Sequence, residues 1–260
     1  MSQLQRLTIA DSQIQESQIS LTAEQSHYLS RVLRLKQGDR FIVLAPHGQG
    51  WLAELMPAEV SQQSWIGKIL EPVVERTELP IAITLMVALP KGNGLDEVVR
   101  QAAELGVTCI APVVSDRTLL HPSPQKLDRW RRIAQEATEQ SERQFVPSIL
   151  EPVSFMDSLQ REVALEQSHA AFLCVTRLAS PHLLSCLLSP PSGAIPTTSI
   201  TIAIGPEGGW TEAEVAQAID AGFQPVSLGR RIFRAVTAPL VALSLVAAAQ
   251  EFDSNPTQKV

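Results

Sequence analysis

The chain has 260 residues, 45% of them hydrophobic and 18% charged, with a formal net charge of −6. These values fit a soluble globular protein with a real core, one large domain or two small ones, and argue against a non-specific nucleic-acid binder. No run approaches the roughly 18 apolar residues of a membrane-spanning helix, and the N-terminus MSQLQRLTIA lacks the basic start and apolar stretch of a signal peptide.

Cys109, Cys174 and Cys186 are scattered and odd in number, so neither a disulfide framework nor a zinc site is expected and a reducing cytoplasm is the simplest compartment. The five histidines form no close metal-ligand pair, and no metal is expected. Local charge departs from the acidic total. Arg31, Arg34, Lys36 and Arg40 lie close together, as do Arg129, Arg131 and Arg132, and Arg230, Arg231 and Arg234. A solvated helix face explains most such runs taken singly. Three of them on an acidic chain suggest a defined polyanion groove.

In chain order, Thr22-Ala-Glu-Gln25 has the spacing of a capping box and predicts a helix carrying Tyr28, Leu29, Val32 and Leu33. Gly38-Asp39 turns the chain into a predicted strand over Arg40–Ala45; the loop Pro46–Gly50 and strands over Trp51–Met56 and Trp65–Leu70 follow. Residues 1–73 therefore make a small β-rich domain, and the acidic, proline-bounded segment Glu71–Pro80 is the predicted linker.

From Ile81 the pattern changes. Ile81–Leu89 is a nearly continuous apolar run, as a strand covered on both faces should be. Leu95, Val98, Val99, Ala102 and Leu105 recur at helical spacing up to Gly106. Thr108–Val114 is a predicted strand, and Ser123-Pro124 opens a helix through about Ser141. Strands over Ala170–Val175 and Ser199–Ile204 flank a Ser/Pro-rich loop, 189–198. Val226–Leu228 is a short last strand, Thr237–Phe252 a last helix, and the tail from 253 is expected to be disordered. Repeated β-α alternation over 79–252 predicts an α/β domain with a mainly parallel sheet.

The most informative stretch is TIAIGPEGGWTEAEV. A buried strand ends at Ile204, the turn Gly205-Pro206-Glu207-Gly208-Gly209 follows, and Thr211-Glu-Ala-Glu214 opens a helix with capping-box spacing. Ligands of α/β sheets bind at such carboxyl strand ends, where glycines admit close backbone approach. A tight turn with no ligand is the plain alternative. The turn lacks both the P-loop ending and G-x-G-x-x-G, offers no lysine, and carries Glu207, Glu212 and Glu214 beside a helix N-terminus. Those carboxylates disfavour a triphosphate and suit a cationic nucleoside such as S-adenosylmethionine. In the second stretch, VSLGRRIFRAVTA, Gly229 permits a turn and Arg234 precedes an apolar helix, where it can meet an RNA phosphate or polarise a base carbonyl.

The blocks Leu89–Gly92 (LPKG), Ala103–Val107 (AELGV), Glu139–Arg143 (EQSER), Ile204–Gly209 (IGPEGG) and Leu228–Arg234 (LGRRIFR) occur in that order, after His27–Asp39 (HYLSRVLRLKQGD). Together they resemble the RsmE-type 16S rRNA (uracil-N3)-methyltransferases of the SPOUT superfamily, over nearly the whole chain. The resemblance implies a small PUA-like β-barrel that binds RNA, followed by a SPOUT parallel sheet with a C-terminal trefoil knot. It implies a cytoplasmic homodimer that binds S-adenosylmethionine and methylates N3 of a uridine in 16S rRNA or the small ribosomal subunit.

On that basis Thr176, Ile204, Gly205, Pro206, Gly208, Gly209, Leu228, Gly229 and Ile232 are the expected cofactor contacts. Arg234 and Thr237 are the expected catalytic residues, with Glu207 as a candidate base. Arg31, Arg34, Lys36, Lys91, Arg117 and Arg143 are the expected RNA contacts. The family's R-T-E-T-A is here Arg234-Ala-Val-Thr-Ala238, so no carboxylate stands at Val236 and a mechanism resting on one fails. Two alternatives stay open: another RNA substrate (a tRNA or a ribose 2′-hydroxyl), and a non-catalytic RNA-binding assembly factor.

Overall fold

The computed structural model describes residues 4–46, 48–58, 61–73, 77–118, 122–163, 169–189 and 197–253. His47, His121, most of the expected Ser/Pro-rich loop and the expected tail beyond 253 lie outside the described residues. The chain divides into two compact units, Met1–Glu78 with Thr138–Val146, and Leu79–Ala137 with Pro147–Val260.

The first unit contains β1 (Arg6–Thr8), β2 (Ile14–Gln15), β3 (Gln18–Ser20), α1 (Ala23–His27), β4 (Arg40–Leu44), β5 (Gly50–Ala58) and β6 (Ser61–Val73). The capping box at α1 forms as expected: the Thr22 hydroxyl accepts from the Gln25 N–H at 3.1 Å and the Gln25 side chain accepts from the Thr22 N–H at 2.9 Å. The helix is shorter than expected and widens into a π-helical turn over Tyr28–Val32. That change of period turns Val32 out, 58% exposed, while Leu29 stays fully buried.

The strands form one sheet in the order β1-β4-β5-β6-β3-β2, antiparallel except for β1 beside β4. Leu7, Ile19, Leu29, Phe41, Val43 and Leu55 fill its core. A side chain at Gly67 would crowd the Phe41 ring, with a Cβ there only 3.2 Å from Cζ. The expected barrel is not closed by strand pairing, because β1 and β2, three and two residues long, end the sheet without pairing to each other. Side chains meet the free edge of β1 instead. The Thr8 N–H donates to the Glu139 carboxylate at 2.8 Å, and the Thr8 carbonyl accepts from the Gln25 amide at 3.1 Å.

Glu139 belongs to a segment that the expected domain limits, 1–73 and 79–252, left with the second unit. Thr138–Val146 clusters with the first, and its ion pairs show why. Glu142 accepts from Arg6 at 2.9 Å. Arg143, 3% exposed, donates to Glu78 at 2.7 Å, and Glu78 also accepts the Gln144 N–H at 2.8 Å. The expected RNA contact at Arg143 is thereby overturned: a guanidinium buried against a carboxylate presents nothing to a phosphate. The boundary between the units, at Glu78 and Leu79, falls within the expected linker, although β6 extends through Val73 and Glu78 is an anchored partner.

The second unit alternates strand and helix: β7 (Ala82–Ala88), α2 (Gly94–Glu104), β8 (Cys109–Val114), α3 (Pro124–Gln140), β9 (Ser148–Ile149), β10 (Val153–Ser154), α4 (Phe155–Val163), β11 (His169–Cys174), α5 (Leu183–Leu188), β12 (Ser199–Ile204), α6 (Glu212–Asp220), β13 (Gln224–Val226) and α7 (Ala238–Asp253). Its sheet is parallel throughout, in the order β10-β8-β7-β12-β11-β13, with β9 also on β8. Neighbouring strand residues point to opposite faces. Met86, Leu173 and Ala203 pack with Phe155, Leu159 and Phe223 on the side of α4 and α6, while α2, α5 and α7 pack together. With both faces covered, the strands need no polar alternation, which is why their sequences are nearly uniformly apolar.

Helix α4, which the apolar periodicity did not single out, starts at a readable cap: the Ser154 hydroxyl accepts from the Asp157 N–H at 3.1 Å. Breaking a buried pair on one side leaves an uncompensated charge. Arg143→Ala should therefore cost about 3 kcal/mol or more in the first unit, measured by denaturant unfolding followed through Trp51 and Trp65. Replacing Arg143 and Glu78 together by Met and Leu should cost much less.

Candidate functional site

A parallel sheet delivers the carboxyl ends of all its strands to one rim. Five loops gather there: after β7 (residues 89–93), β8 (115–118), β11 (175–182), β12 (205–211) and β13 (227–237). Strands β7 and β12 are neighbours, and the helices that follow them diverge. Helix α2 packs with α7, whereas α6 packs with α4. Ligands of open α/β sheets bind in a crevice at this carboxyl rim.

The glycine turn after β12 forms one wall of that crevice. Ile204 is buried at the strand end and the chain turns through Gly205–Gly209, closed by a Gly209 N–H to Pro206 carbonyl bond of 2.8 Å. Gly209 has φ +70°, the left-handed region that glycine occupies without steric cost. A Cβ at Gly205 would lie 3.1 Å from the indole of Trp210, so a side chain there is blocked. Trp210 itself stacks on Phe155 with centroids 4.3 Å apart, and its buried indole N–H has no hydrogen-bond partner among the described residues.

The carboxylates crowded near this turn have separate tasks. Glu214 is buried and completes the capping box of α6, accepting from the Thr211 N–H at 2.7 Å and from the Asp116 N–H at 2.9 Å. Thr211 in turn donates its hydroxyl to Asp116 at 3.1 Å. Glu207 accepts the Lys91 N–H at 3.0 Å and so ties the loop after β7 to the glycine turn. Asp116 gave no signal in the sequence, because 95 residues separate it from Thr211.

On the other side of β12, the loops after β11 and β13 are stitched together. The Val175 N–H donates to the Val226 carbonyl, the Ser227 N–H to Pro181, and the Leu183 N–H to Ser227, all between 2.8 and 2.9 Å. Gly229, at φ +119°, follows, its N–H bonded to the Ser227 hydroxyl at 3.0 Å. Leu228 and Gly229 are half-buried, whereas Thr176 and Ile232 are exposed, Ile232 by 68%. The chain then turns into α7 through bonds from the Thr237 and Ala238 N–H groups to the Arg234 carbonyl, each 2.9 Å. Arg234 is exposed and Thr237 half-buried at the start of that helix. A Cβ at Gly94 would lie 2.8 Å from Val236 Cγ1, so this glycine leaves room for the valine at the start of α2. Desolvation pushes the Cys174 thiol up to about 12, which disfavours its thiolate.

The expected cofactor residues of the β12 and β13 loops, with Glu207, Arg234 and Thr237, thus share the rim of the second unit. So do Lys91 and Arg117, and both meet the glycine turn: Lys91 through its backbone, and Arg117 by donating to the Gly208 carbonyl at 2.5 Å. Arg31, Arg34 and Lys36 belong to the first unit, exposed at and just after its π-helical turn. Arg34 holds φ +59°, rare for a side-chain-bearing residue. No group of three or more His, Cys, Asp or Glu able to hold a metal occurs among the described residues. The crevice suits a cationic nucleoside: glycines bring bare backbone to it, and Glu207 and Glu212 stand on the β12 side.

Comparison with known proteins agrees with this geometry. The RNA methyltransferase domain model matches residues 77–247 and the RNA methyltransferase PUA domain model matches 21–56. A protein of Synechocystis named ribosomal RNA small subunit methyltransferase E is 48% identical over 95% of this chain and 78% of its own length. The protein of that name from Bacillus subtilis is 32% identical, covering 92% of this chain and 94% of its own. Among solved structures, a ribosomal RNA small subunit methyltransferase E from Neisseria gonorrhoeae bound to S-adenosyl methionine superposes with a TM-score of 0.79 at 29% identity. That match covers 96% of this chain and 98% of the other. By its sheet, its glycine turn and these matches along nearly its whole length, the chain belongs to the RNA methyltransferase family that pairs this domain with a PUA domain.

Proposed function

We propose that the protein methylates N3 of a specific uridine in 16S rRNA of the small ribosomal subunit, with S-adenosylmethionine as methyl donor. The observation that carries this reading is the glycine turn after β12, on the rim it shares with the loops after β11 and β13, in a chain 48% identical to a named small-subunit rRNA methyltransferase. The bound donor supplies an electrophilic methyl group. Backbone groups of Ile204–Gly209 and Leu228–Gly229, with Thr176 and Ile232, hold it.

Loss of the N3 proton leaves negative charge on the uracil carbonyls, and the exposed guanidinium of Arg234 stabilises that charge, with Thr237 fixing the turn that presents it. N3 lies on the pairing edge, so the target nucleotide must be unpaired or turned outward. Glu207 holds the loop after β7 through one oxygen, and its second oxygen is the candidate acceptor for the N3 proton. The valine at 236 leaves no carboxylate there for that task. Arg31, Arg34 and Lys36 grip the rRNA backbone. The strand order β7-β12-β11-β13, with α7 returning onto β12, supports a trefoil knot. The family resemblance supports a homodimer at work in the cytoplasm. No described helix is long and apolar enough to cross a membrane.

Two measurements test the reading. With purified small subunits and labelled donor, label should enter rRNA as N3-methyluridine, and Arg234→Ala should lower kcat about 100-fold with donor affinity little changed. Label at a ribose hydroxyl, or none, refutes the assignment. Arg31→Ala with Arg34→Ala should weaken rRNA binding about tenfold and flatten its salt dependence, leaving donor affinity intact; equal loss of both indicates a folding defect instead.

A further inference from the structure

The glycine turn poses a physical problem that the proposed function does not by itself answer. Gly208 and Gly209 are adjacent, and glycine has the largest conformational freedom of any residue. If that freedom persisted in the free protein, a ligand bound by their backbone would have to order them, and affinity would fall by that entropy. Something must hold the pair in place beforehand.

The peptide plane between them is pinned at both ends. Its N–H, on Gly209, donates to the Pro206 carbonyl at 2.8 Å within the turn. Its C=O, on Gly208, accepts from the Arg117 guanidinium at 2.5 Å, across 91 residues of chain. The stem of Arg117 also lies along Gly208, where an added Cβ would stand 3.0 Å from Arg117 Cδ. A charged donor on a carbonyl is among the stronger hydrogen bonds.

Arg117 is itself braced. The Ser115 N–H donates to the Thr118 hydroxyl at 3.0 Å and the Thr118 N–H to the Ser115 carbonyl at 2.9 Å, making a tight turn with Arg117 inside it. The neighbouring Asp116 N–H is fixed on Glu214 at 2.9 Å. The loop after β8 is thus locked to the start of α6 and reaches back with one guanidinium to the glycine pair. On the opposite flank, the Lys91 N–H on Glu207 holds the turn from the loop after β7.

We propose that Arg117 is a positioning residue: its guanidinium fixes the Gly208–Gly209 peptide before the methyl donor arrives, so the turn binds donor without first being ordered. The role replaces the expected contact of Arg117 with RNA, and it rests on the reading of the crevice as the donor site. Glu207 has the matching role on the other flank.

The test is calorimetry of S-adenosylmethionine binding to the full chain with no RNA present. Arg117→Ala should weaken binding about tenfold, the loss expected for one charged hydrogen bond, with the thermal unfolding midpoint unchanged. Arg117→Gln, which keeps a neutral donor, should fall between the two. In turnover, KM for the donor should rise while kcat at saturating donor and KM for rRNA hold. Gly208→Ala should also weaken binding, and less so in the Arg117→Ala background, where the added methyl has room. Unaltered donor affinity in both Arg117 variants, with KM for rRNA raised instead, overturns the positioning role and restores the RNA contact. Wild-type protein without measurable donor affinity overturns the donor-site reading itself, and this inference with it. Should Arg117→Ala not fold, Arg117→Gln and Gly208→Ala decide the matter alone.

Discussion

Parallel strands in one sheet must all end on the same side, and in the second unit every strand runs the same way. The loops after β7, β8, β11, β12 and β13 therefore share a rim whatever their separation in the chain. Because the strands are covered on both faces, the rim is where backbone polarity reaches the surface in quantity. A ligand held by main-chain groups has its natural place there. Strands β7 and β12 lie side by side while their helices depart to different groups.

A glycine turn alone is a poor binding surface, because what lets the backbone approach a ligand also lets it move. The structure resolves that conflict with bonds from outside the turn. Lys91 offers a backbone N–H to Glu207, Arg117 a guanidinium to Gly208, and Asp116 both a carboxylate and an N–H to the first turn of α6. Charges that look in sequence like an anion-repelling cluster are largely consumed in this bracing. Glu214 is buried in a capping box and Glu207 holds a loop, so the electrostatic case against a triphosphate is weaker than a count of carboxylates suggests. The absence of a lysine in the turn carries more of it.

The first unit shows the same economy at another scale. Its sheet ends on strands of two and three residues, too short to close by pairing. The exposed edge of β1 is met by Glu139 and Gln25 instead, and Arg143 is consumed by Glu78. The EQSER block is therefore structural at its first and last residues. A basic residue in a recognisable block invites a phosphate-binding reading, and only burial distinguishes the two. Arg31, Arg34 and Lys36, exposed at the π-helical turn and its exit, remain open to a polyanion, as do the exposed Arg40 and Lys68.

Much was legible in the residues alone, for reasons of local physics. Apolar runs marked β7, β8, β11 and β12 because strands buried on both faces tolerate little else, and helical spacing marked α2. The capping boxes at Thr22 and Thr211 formed as spacing requires, since both partners lie within one helical turn. The glycine turn after Ile204 was legible as a tight turn at the carboxyl end of a buried strand. Relations between distant segments were not legible. Nothing near Arg117 announces Gly208, and nothing near Arg143 announces Glu78. The shift of Val32 from core to solvent depends on a change of helical period with no signature of its own. Backbone preference and periodicity are written within a few residues of chain, whereas a side chain's partner is set by which strands lie side by side. That adjacency exists only once the chain has folded.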